Sequence, residues 1–349
     1  MSTKALQGIK GNRTLKKITV VEVAALAGVS VSAVSRAFSN GSCSKVMREK
    51  VLCAAKELGY KPNRLARGLK GKSSLIGVLV TDFENPLYLP ILQQFSAQIQ
   101  QQNCHTILVN ACDHQSLSEA LALVMEYHID GLIVTASALP QVLVDACKGQ
   151  NIPVVCFATN SKSEGASAVY CDNFANGKMA AQHLLEMGYT RPAFVSGPVA
   201  ALTSLERQRG FINTLVENGC QDWQIKEGGN HSYAAGFEAT CELLAQPTQP
   251  DSIFYSDDIM ACGGMDAARH KFGLNVPDEI GIIGVDDIAL ASSPAYQLTT
   301  IKQPFEQMVS ACVQTLFQQI SKPESGAEQL IFTCQLQQRA STQKPLSPI

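Results

Sequence analysis

Ser30, Ser35 and Arg36 lie close together just after the glycine-containing stretch LAGV. Hydroxyl and guanidinium groups in such a cluster donate to phosphate oxygens and base edges. Their surroundings suit that chemistry. Residues 1–75 carry fifteen Lys/Arg against only Glu22, Glu49 and Glu57, whereas the rest of the chain carries thirteen basic and 27 acidic residues. A basic head on an acidic body favours a polyanionic partner for the head and repels it from the body. Tethering to a ribosome or to a membrane surface would call for the same charge, so charge alone leaves those readings open.

The elements that would carry these groups are short helices. Thr19 followed by Glu22 forms a capping-box pattern, and Val20, Val23, Ala24 and Ala27 share one helical face. Gly28 suits a left-handed stop. Ser30 caps a second helix from Val31 to about Phe38, with Val34 and Phe38 inward. A third helix near 45–59 sends Val46, Val51, Ala54, Ala55 and Leu58 inward. Pro62 ends it, and Asn63 caps a short helix reaching about Lys70, in which Gly68 lowers helix propensity by about 1 kcal/mol. Residues 1–18 are basic and polar without a period and read as an arm. Two helices around a tight glycine turn have helix-turn-helix spacing. By charge and spacing alone, an ordinary helical hairpin fits equally well.

From Ser74 onward short apolar runs alternate with helical segments. LIGVLVT (75–81), HTILVN (105–110), GLIVTA (131–136) and PVVCFA (153–158) read as buried parallel strands. Helices near 87–101, 116–127 and 139–149 separate them. After Tyr170 the pattern restarts with a helix near 174–188, PAFVSG (192–197), helices near 202–218 and 232–245, SIFYS (252–256), a helix near 259–271 and IGIIGV (280–285). Two such series predict two similar α/β subdomains with a ligand cleft beyond the carboxyl ends of the strands.

Hydrophobic content of 46% with 17% charged residues is that of a water-soluble globular chain. No stretch of about 18 uninterrupted apolar residues is present, so no transmembrane helix is expected. The amino-terminal MSTKALQGIKGNRTLKK lacks an apolar core and does not read as a secretory signal. The twelve cysteines run from Cys43 to Cys334 with no CxxC pair, most of them within apolar runs. They read as reduced core thiols in a reducing cytoplasm rather than metal ligands. No GxGxxG follows the first strand, and no GxSxG or HExxH is present. No catalytic residue, metal or cofactor is therefore expected.

The string from Thr19 to Leu75 contains VA.LAGVS..AVSR, then REKV…A..LGY.PN, then N-R-x-A-x-x-L. In that order and at those separations it closely resembles the DNA-binding head of the lactose/galactose repressor family. The segment between the second and third helices is one residue shorter than the family pattern. The resemblance continues to near Arg339 through IGVLV-D--NP (76–86), GLI at 131, R-x-x-GF (207–211), GVDD (284–287) and LTTIKQPF (298–305). It implies a body shared with periplasmic sugar-binding proteins.

Carried onto this sequence, Val31 and Ser32 would select bases and Arg36 would add a base or phosphate contact, with Ser30 and Ser35 on the backbone; Thr19 is counted among the DNA-binding residues. Asn63, Arg64, Ala66 and Leu69 would form a hinge helix. In the family two such helices enter the minor groove, and the leucine, here Leu69, wedges between central base pairs. For the effector the resemblance marks Arg207, whose fork suits vicinal hydroxyls or a carboxylate, and Asp286, first of the GVDD pair. It also marks Asp257, where the family usually has Asn, along with Gln303, His231 as a stacking position and Tyr88 on the opposite wall. Ala158 stands where several sugar-responsive members have a carboxylate. These departures mean that the identity of the sugar is not inherited, and neighbouring carboxylates would also suit an amine-bearing ligand. Arg207 and Asp286 could instead simply pair with each other, and His231 could lie free on the surface.

The expected architecture is an all-α helix-turn-helix head with a hinge helix, joined to an α/β periplasmic-binding-protein-like body of two Rossmann-like subdomains. The expected divisions are an arm (1–18), a helix-turn-helix domain (19–61), a hinge and linker (62–73), a body (74–341) and a tail (342–349). Within the body one subdomain takes about 74–171 plus 304–332, and the other about 172–302 plus 333–341. The expected function is a cytoplasmic, homodimeric repressor of carbohydrate uptake and catabolism genes. It would bind a palindromic operator in double-stranded DNA and be switched by a small-molecule effector, a sugar or sugar derivative. A dimer is expected because the chain ends at SPI without a heptad tail. The competing expectation is a sugar receptor with no transcriptional role.

Overall fold

The computed structural model describes residues 18–38, 42–60, 73–111, 119, 122–135, 141–160, 163–199 and 201–343. The chain divides into two compact units, residues 1–71 and 72–349. The expected arm except Ile18, all of the hinge but Ser73, and the end of the tail lie outside the described residues.

The first unit is three helices: α1 (Val20–Ala27), α2 (Val31–Phe38) and α3 (Lys45–Glu57). The Glu22 carboxylate accepts from the Thr19 N–H at 2.7 Å and from its hydroxyl at 3.1 Å, fixing the start of α1. Gly28 ends α1 at φ 64°, a conformation that would strain a side chain. The Ser30 hydroxyl accepts from the Ala33 N–H at 3.2 Å and starts α2. Val23, Ala24, Val34, Ala37, Val51, Ala54 and Ala55 form a small buried core, with Phe38 and Tyr60 packed against it. Val46, expected inward, is 65% exposed. Ser44 caps α3 by accepting from the Met47 N–H at 3.3 Å. The five-residue step from Val46 to buried Val51 then turns it about 140° away from the core face.

The second unit holds two six-stranded sheets. The first is built from β1 (Leu75–Val80), β2 (His105–Asn110), β3 (Gly131–Val134), β4 (Val154–Phe157), β5 (Ser167–Cys171) and β11 (Gln329–Phe332). Its spatial order is β11-β5-β4-β3-β1-β2. The second contains β6 (Pro192–Ser196), β7 (Gln224–Glu227), β8 (Ser252–Tyr255), β9 (Gly281–Asp286), β10 (Thr299–Lys302) and β12 (Gln335–Gln337), in the order β12-β10-β9-β8-β6-β7. Every pairing is parallel except β10 with β12. In each sheet the first strand, β1 or β6, lies between the next two strands. That order reversal opens a crevice beyond the strand carboxyl ends.

The interleaved helices are α4 (Tyr88–Gln101), α5 (Gln141–Gly149), α6 (Asn173–Glu186), α7 (Leu202–Glu217), α8 (Tyr233–Leu244), α9 (Asp258–Asp266) and α10 (Phe305–Ser321). The last turn of the helix expected near 259–271 is a π-helix, Ala267–Lys271. The edge strands β7, β11 and β12, together with β5, β10 and α10, had no counterpart in the sequence reading. All three edge strands are short and half-exposed; β7 (QIKE) and β12 (QLQ) carry no apolar run, and β11 (QLIF) carries only a three-residue one.

Helices α6 and α7 pack backbone against backbone. A Cβ on Gly177 would lie 1.9 Å from the Arg207 carbonyl oxygen, and one on Gly210 would lie 2.0 Å from the Phe174 carbonyl oxygen. Only glycine permits this crossing. Phe211 of α7 stacks with Phe194 and Phe254 at centroid distances of 6.0 and 5.3 Å. Burying each ring contributes about 2 kcal/mol, so α7, and Arg207 with it, is held firmly on the second sheet.

Candidate functional site

In the head, α2 presents two faces. Ala33, Val34 and Ala37 are buried, while Val31, Ser32, Ser35 and Arg36 are exposed on the other side. Two hydroxyls, one methyl-bearing side chain and one guanidinium therefore share the exposed surface of this helix. Ser30 and Ser32 bond each other through their hydroxyls at 2.9 Å. Thr19 is exposed, with its hydroxyl held by Glu22. Asn63, Arg64, Ala66 and Leu69 lie outside the described residues.

In the body, a cavity of about 710 Å³ opens at the expected crevice. The loop after β1 (Asp82, Glu84), the start of α4 (Tyr88), the end of β4 (Phe157, Ala158) and the loop after β7 (Asn230, His231, Ser232) line it. Tyr88 and His231 thus face each other's subdomain as expected. Arg207, Asp257, Asp286 and Gln303 do not line this cavity. They are 3–6% exposed and sit behind it. Asp286 and Gln303 border a second cavity of about 450 Å³, which also touches Lys302, Phe305, Thr333 and Gln335.

The buried groups nonetheless form one cluster. Arg207 donates from Nε to Asn173 Oδ1 at 2.9 Å, and from Nη1 to the Ser256 carbonyl. Asp257 caps α9 by accepting from the Met260 N–H at 2.9 Å. It also accepts from Asn85 Nδ2 at 3.0 Å and lies 3.1 Å from His231 Nδ1. Asp286 ends β9 at φ 118° and accepts from Gln303 Nε2 at 2.6 Å. A non-glycine residue held there is strained, which aims the carboxylate rather than relaxing it. Among the described residues no ion pair joins Arg207 to Asp286, and His231 is engaged rather than free.

The electrostatics follow from burial. Burial raises the Asp286 carboxyl to about 7, with Arg207 opposing and Asp257 reinforcing. For His231, burial acts to lower the pKa, but the charge of Asp257 and its hydrogen bond outweigh it, so the net shift is upward. Burial, then Asp82, Asp286 and Asp257, hold the Tyr88 phenol above its ordinary value. Such a set alternates donors with acceptors around a recess, which suits a small polar molecule rich in hydroxyls.

Asn173 and Asn85 were missed in the sequence. Asn85 sat inside the NP pair already noted, and its partner lies 172 positions away. Asn173 begins α6 beside Asp172, whose carboxylate caps it by accepting from the Ala175 N–H at 2.9 Å. A capping pattern hides a second role for the neighbouring residue.

Residues 73–340 match the family model described as periplasmic binding proteins and the sugar-binding domain of the LacI family, and residues 19–63 match that of bacterial regulatory proteins of the lacI family. The chain belongs to the LacI family. The ribose operon repressor of Escherichia coli K12 is 30% identical over 93% of this chain and 99% of that one. Also 30% identical are the repressor PurR of Erwinia tasmaniensis (94% and 98%) and the repressor CytR of Escherichia coli K12 (96% and 99%). Among solved structures, the lac repressor dimer bound to operator and an anti-inducer superposes with TM-score 0.81 at 27% identity, covering 94% of this chain and 99% of that one. A LacI-family regulator of Enterococcus faecium with bound ribose gives 0.71 at 28%, covering 78% and 100%. Among the described residues no single helix is long and apolar enough to cross a membrane.

Proposed function

We propose that this LacI-family chain is a sequence-specific, DNA-binding transcriptional repressor of carbohydrate uptake or catabolism genes. A sugar or sugar derivative held between its two subdomains switches it. The observation that carries the reading is the outward face of α2, where Val31, Ser32, Ser35 and Arg36 are exposed. Side chains of those types at the start of a recognition helix reach base edges in the major groove. Asn63, Arg64, Ala66 and Leu69 continue the interface into the minor groove, with Leu69 as the wedge.

The protein works in the cytoplasm as a homodimer on a palindromic operator. The operator-bound relative is named as a dimer, and two heads related by a two-fold axis read two half-sites. The effector contacts Arg207, His231, Asp257 and Asp286 from the second subdomain and Tyr88 from the first, with Gln303 at the crossover between them. Its differential affinity for the closed body shifts the population and couples to the hinge. Ligands printed for relatives, ribose and cellobiose among them, support a sugar-type effector.

The test is a thermal-shift screen of sugars and sugar phosphates, repeated on Arg207→Ala. The expected result is a hit whose stabilisation the variant loses. A hit retained in full by Arg207→Ala would remove that residue from the site.

A further inference from the structure

Asp130, at the foot of β3, holds the chain where it enters the body. Its carboxylate accepts three hydrogen bonds from the two residues at that junction. The Ser73 N–H donates to Oδ1 at 2.8 Å, and the Ser73 hydroxyl to the same oxygen at 3.1 Å. The Ser74 N–H donates to Oδ2 at 2.8 Å. The Ser73 hydroxyl in turn accepts from the Leu75 N–H at 3.2 Å. Between these bonds Ser74 is held at φ 59°, a left-handed conformation that serine rarely adopts. Such a backbone persists only where its surroundings over-determine it.

Asp130 is itself fixed. Its N–H donates to the Leu75 carbonyl at 2.8 Å. Ile129 before it is buried in the core, and Gly131 after it starts β3. From this foot β1 and β3 run parallel, Ile76 opposite Gly131 and Leu79 opposite Val134, and both strands are buried over that stretch. The six residues of β1 span about 20 Å. Beyond the far ends, Thr81 and Asp82 after β1 and Thr135 after β3 all line the cavity of about 710 Å³. The Thr135 N–H and hydroxyl donate to the Leu79 carbonyl at 3.0 and 3.1 Å, and the Tyr88 hydroxyl donates to the Thr135 carbonyl at 3.4 Å. Clamp and cavity wall are thus the two ends of one buried strand pair.

We propose that Asp130 is a positioning residue for operator binding. By holding Ser73 and Ser74 it fixes where, and in which direction, the chain leaves the body, and the β1–β3 pair ties that exit to the cavity wall. This role rests on the DNA-reading function proposed above. In a dimer, two fixed exits preset the spacing of two heads. Loose exits dilute each head around its half-site and add ordering entropy to binding. Contact with phosphates in any sequence does not need that spacing. A carboxylate is required, because an amide of the same size offers one acceptor oxygen and turns an NH2 group towards a backbone N–H.

The experiment compares full-length wild type, Asp130→Asn and Ser73→Ala on two probes: the duplex that wild type enriches from a random library, and a scrambled duplex of the same length. Asp130→Asn should bind the enriched duplex at least about tenfold more weakly and the scrambled one as wild type does. Its thermal midpoint should stay within a few degrees of wild type, while amide exchange of residues 73–75 speeds up. Ser73→Ala removes only the two bonds of the hydroxyl and should show the same pattern at smaller size, which decides the matter if Asp130→Asn fails to fold. Equal losses on both duplexes, an unchanged affinity for the enriched one, or unchanged exchange at 73–75 would each overturn the proposal. A wild type that enriches no duplex removes the DNA-reading function and this role with it. A wild type that enriches a duplex which Asp130→Asn binds equally well removes this role alone.

Discussion

Asn85 Nδ2 donates to Asp257 Oδ2 at 3.0 Å, joining the loop after β1 in one subdomain to the start of α9 in the other. Both residues are buried. The same carboxylate faces His231 at 3.1 Å, so one group joins the two subdomains and raises the pKa of the histidine that lines the cavity.

Asn85→Ala removes this bridge and leaves a buried carboxylate one donor short, which costs about 1–3 kcal/mol. Urea unfolding should report that loss, and hydrogen exchange should speed up in segments 82–88 and 256–260. Unchanged protection in both segments would show that the bridge does not hold the cleft.

Arg207→Ala should abolish the response to the effector while sparing DNA binding. Two charge-assisted hydrogen bonds to a ligand, each contributing about 1.5–3 kcal/mol, correspond to a loss of at least about 100-fold in affinity. Arg207→Lys should not restore it, since an ammonium lacks the two-pronged geometry. Calorimetric titration of a sugar found by the screen distinguishes these outcomes.

Gly177→Ala should lower stability by about 3 kcal/mol, since the added carbon has no room at the α6–α7 crossing. Because the clash is with the Arg207 carbonyl itself, effector affinity should fall as well. A thermal midpoint within a degree or so of wild type would show that the helices separate freely.

The buried carboxyl of Asp286 gives a signed pH dependence. Its ordinary value is 3.8 and its folded value about 7, so between these the folded chain keeps a proton that the unfolded chain has released. Stability therefore falls as pH rises through that interval. His231, shifted upward, also contributes stability that is lost as pH rises through its folded value. Asp286→Asn should reduce the slope, with Asp258, also raised by burial, supplying part of what remains. Urea midpoints at pH 5 and pH 8 measure it; identical slopes in wild type and variant would contradict the assignment.

Much of this molecule was legible before any coordinates. Buried strands such as LIGVLV and IGIIGV carry continuous apolar runs because helices cover both of their faces, and the head announced itself through Thr19–Glu22, Gly28 and Ser30. What escaped notice was encoded non-locally. β7, with the sequence QIKE, is a strand only because β6 offers it an edge. α10 buries Met308, Cys312 and Leu316 but also Thr315 and Gln319, which blurs its apolar face. In the cleft, Arg207 and Asp286 were placed by resemblance. Both sit behind the main cavity, Arg207 bonded to Asn173 and Asp286 to Gln303, partners far away in the sequence that no local pattern announces.

The central claim is that the α2 face reads sequence within a two-fold site. Selecting bound duplexes from a random DNA library with the full-length chain measures it directly, alongside Ser32→Ala with Arg36→Ala and a chain beginning at residue 73. Wild type should enrich one palindromic sequence. The double variant should lose about 1–3 kcal/mol of discrimination at the half-site bases, and the truncated chain should enrich nothing. Enrichment that survives both changes, or wild-type binding with no preferred sequence, would contradict the account.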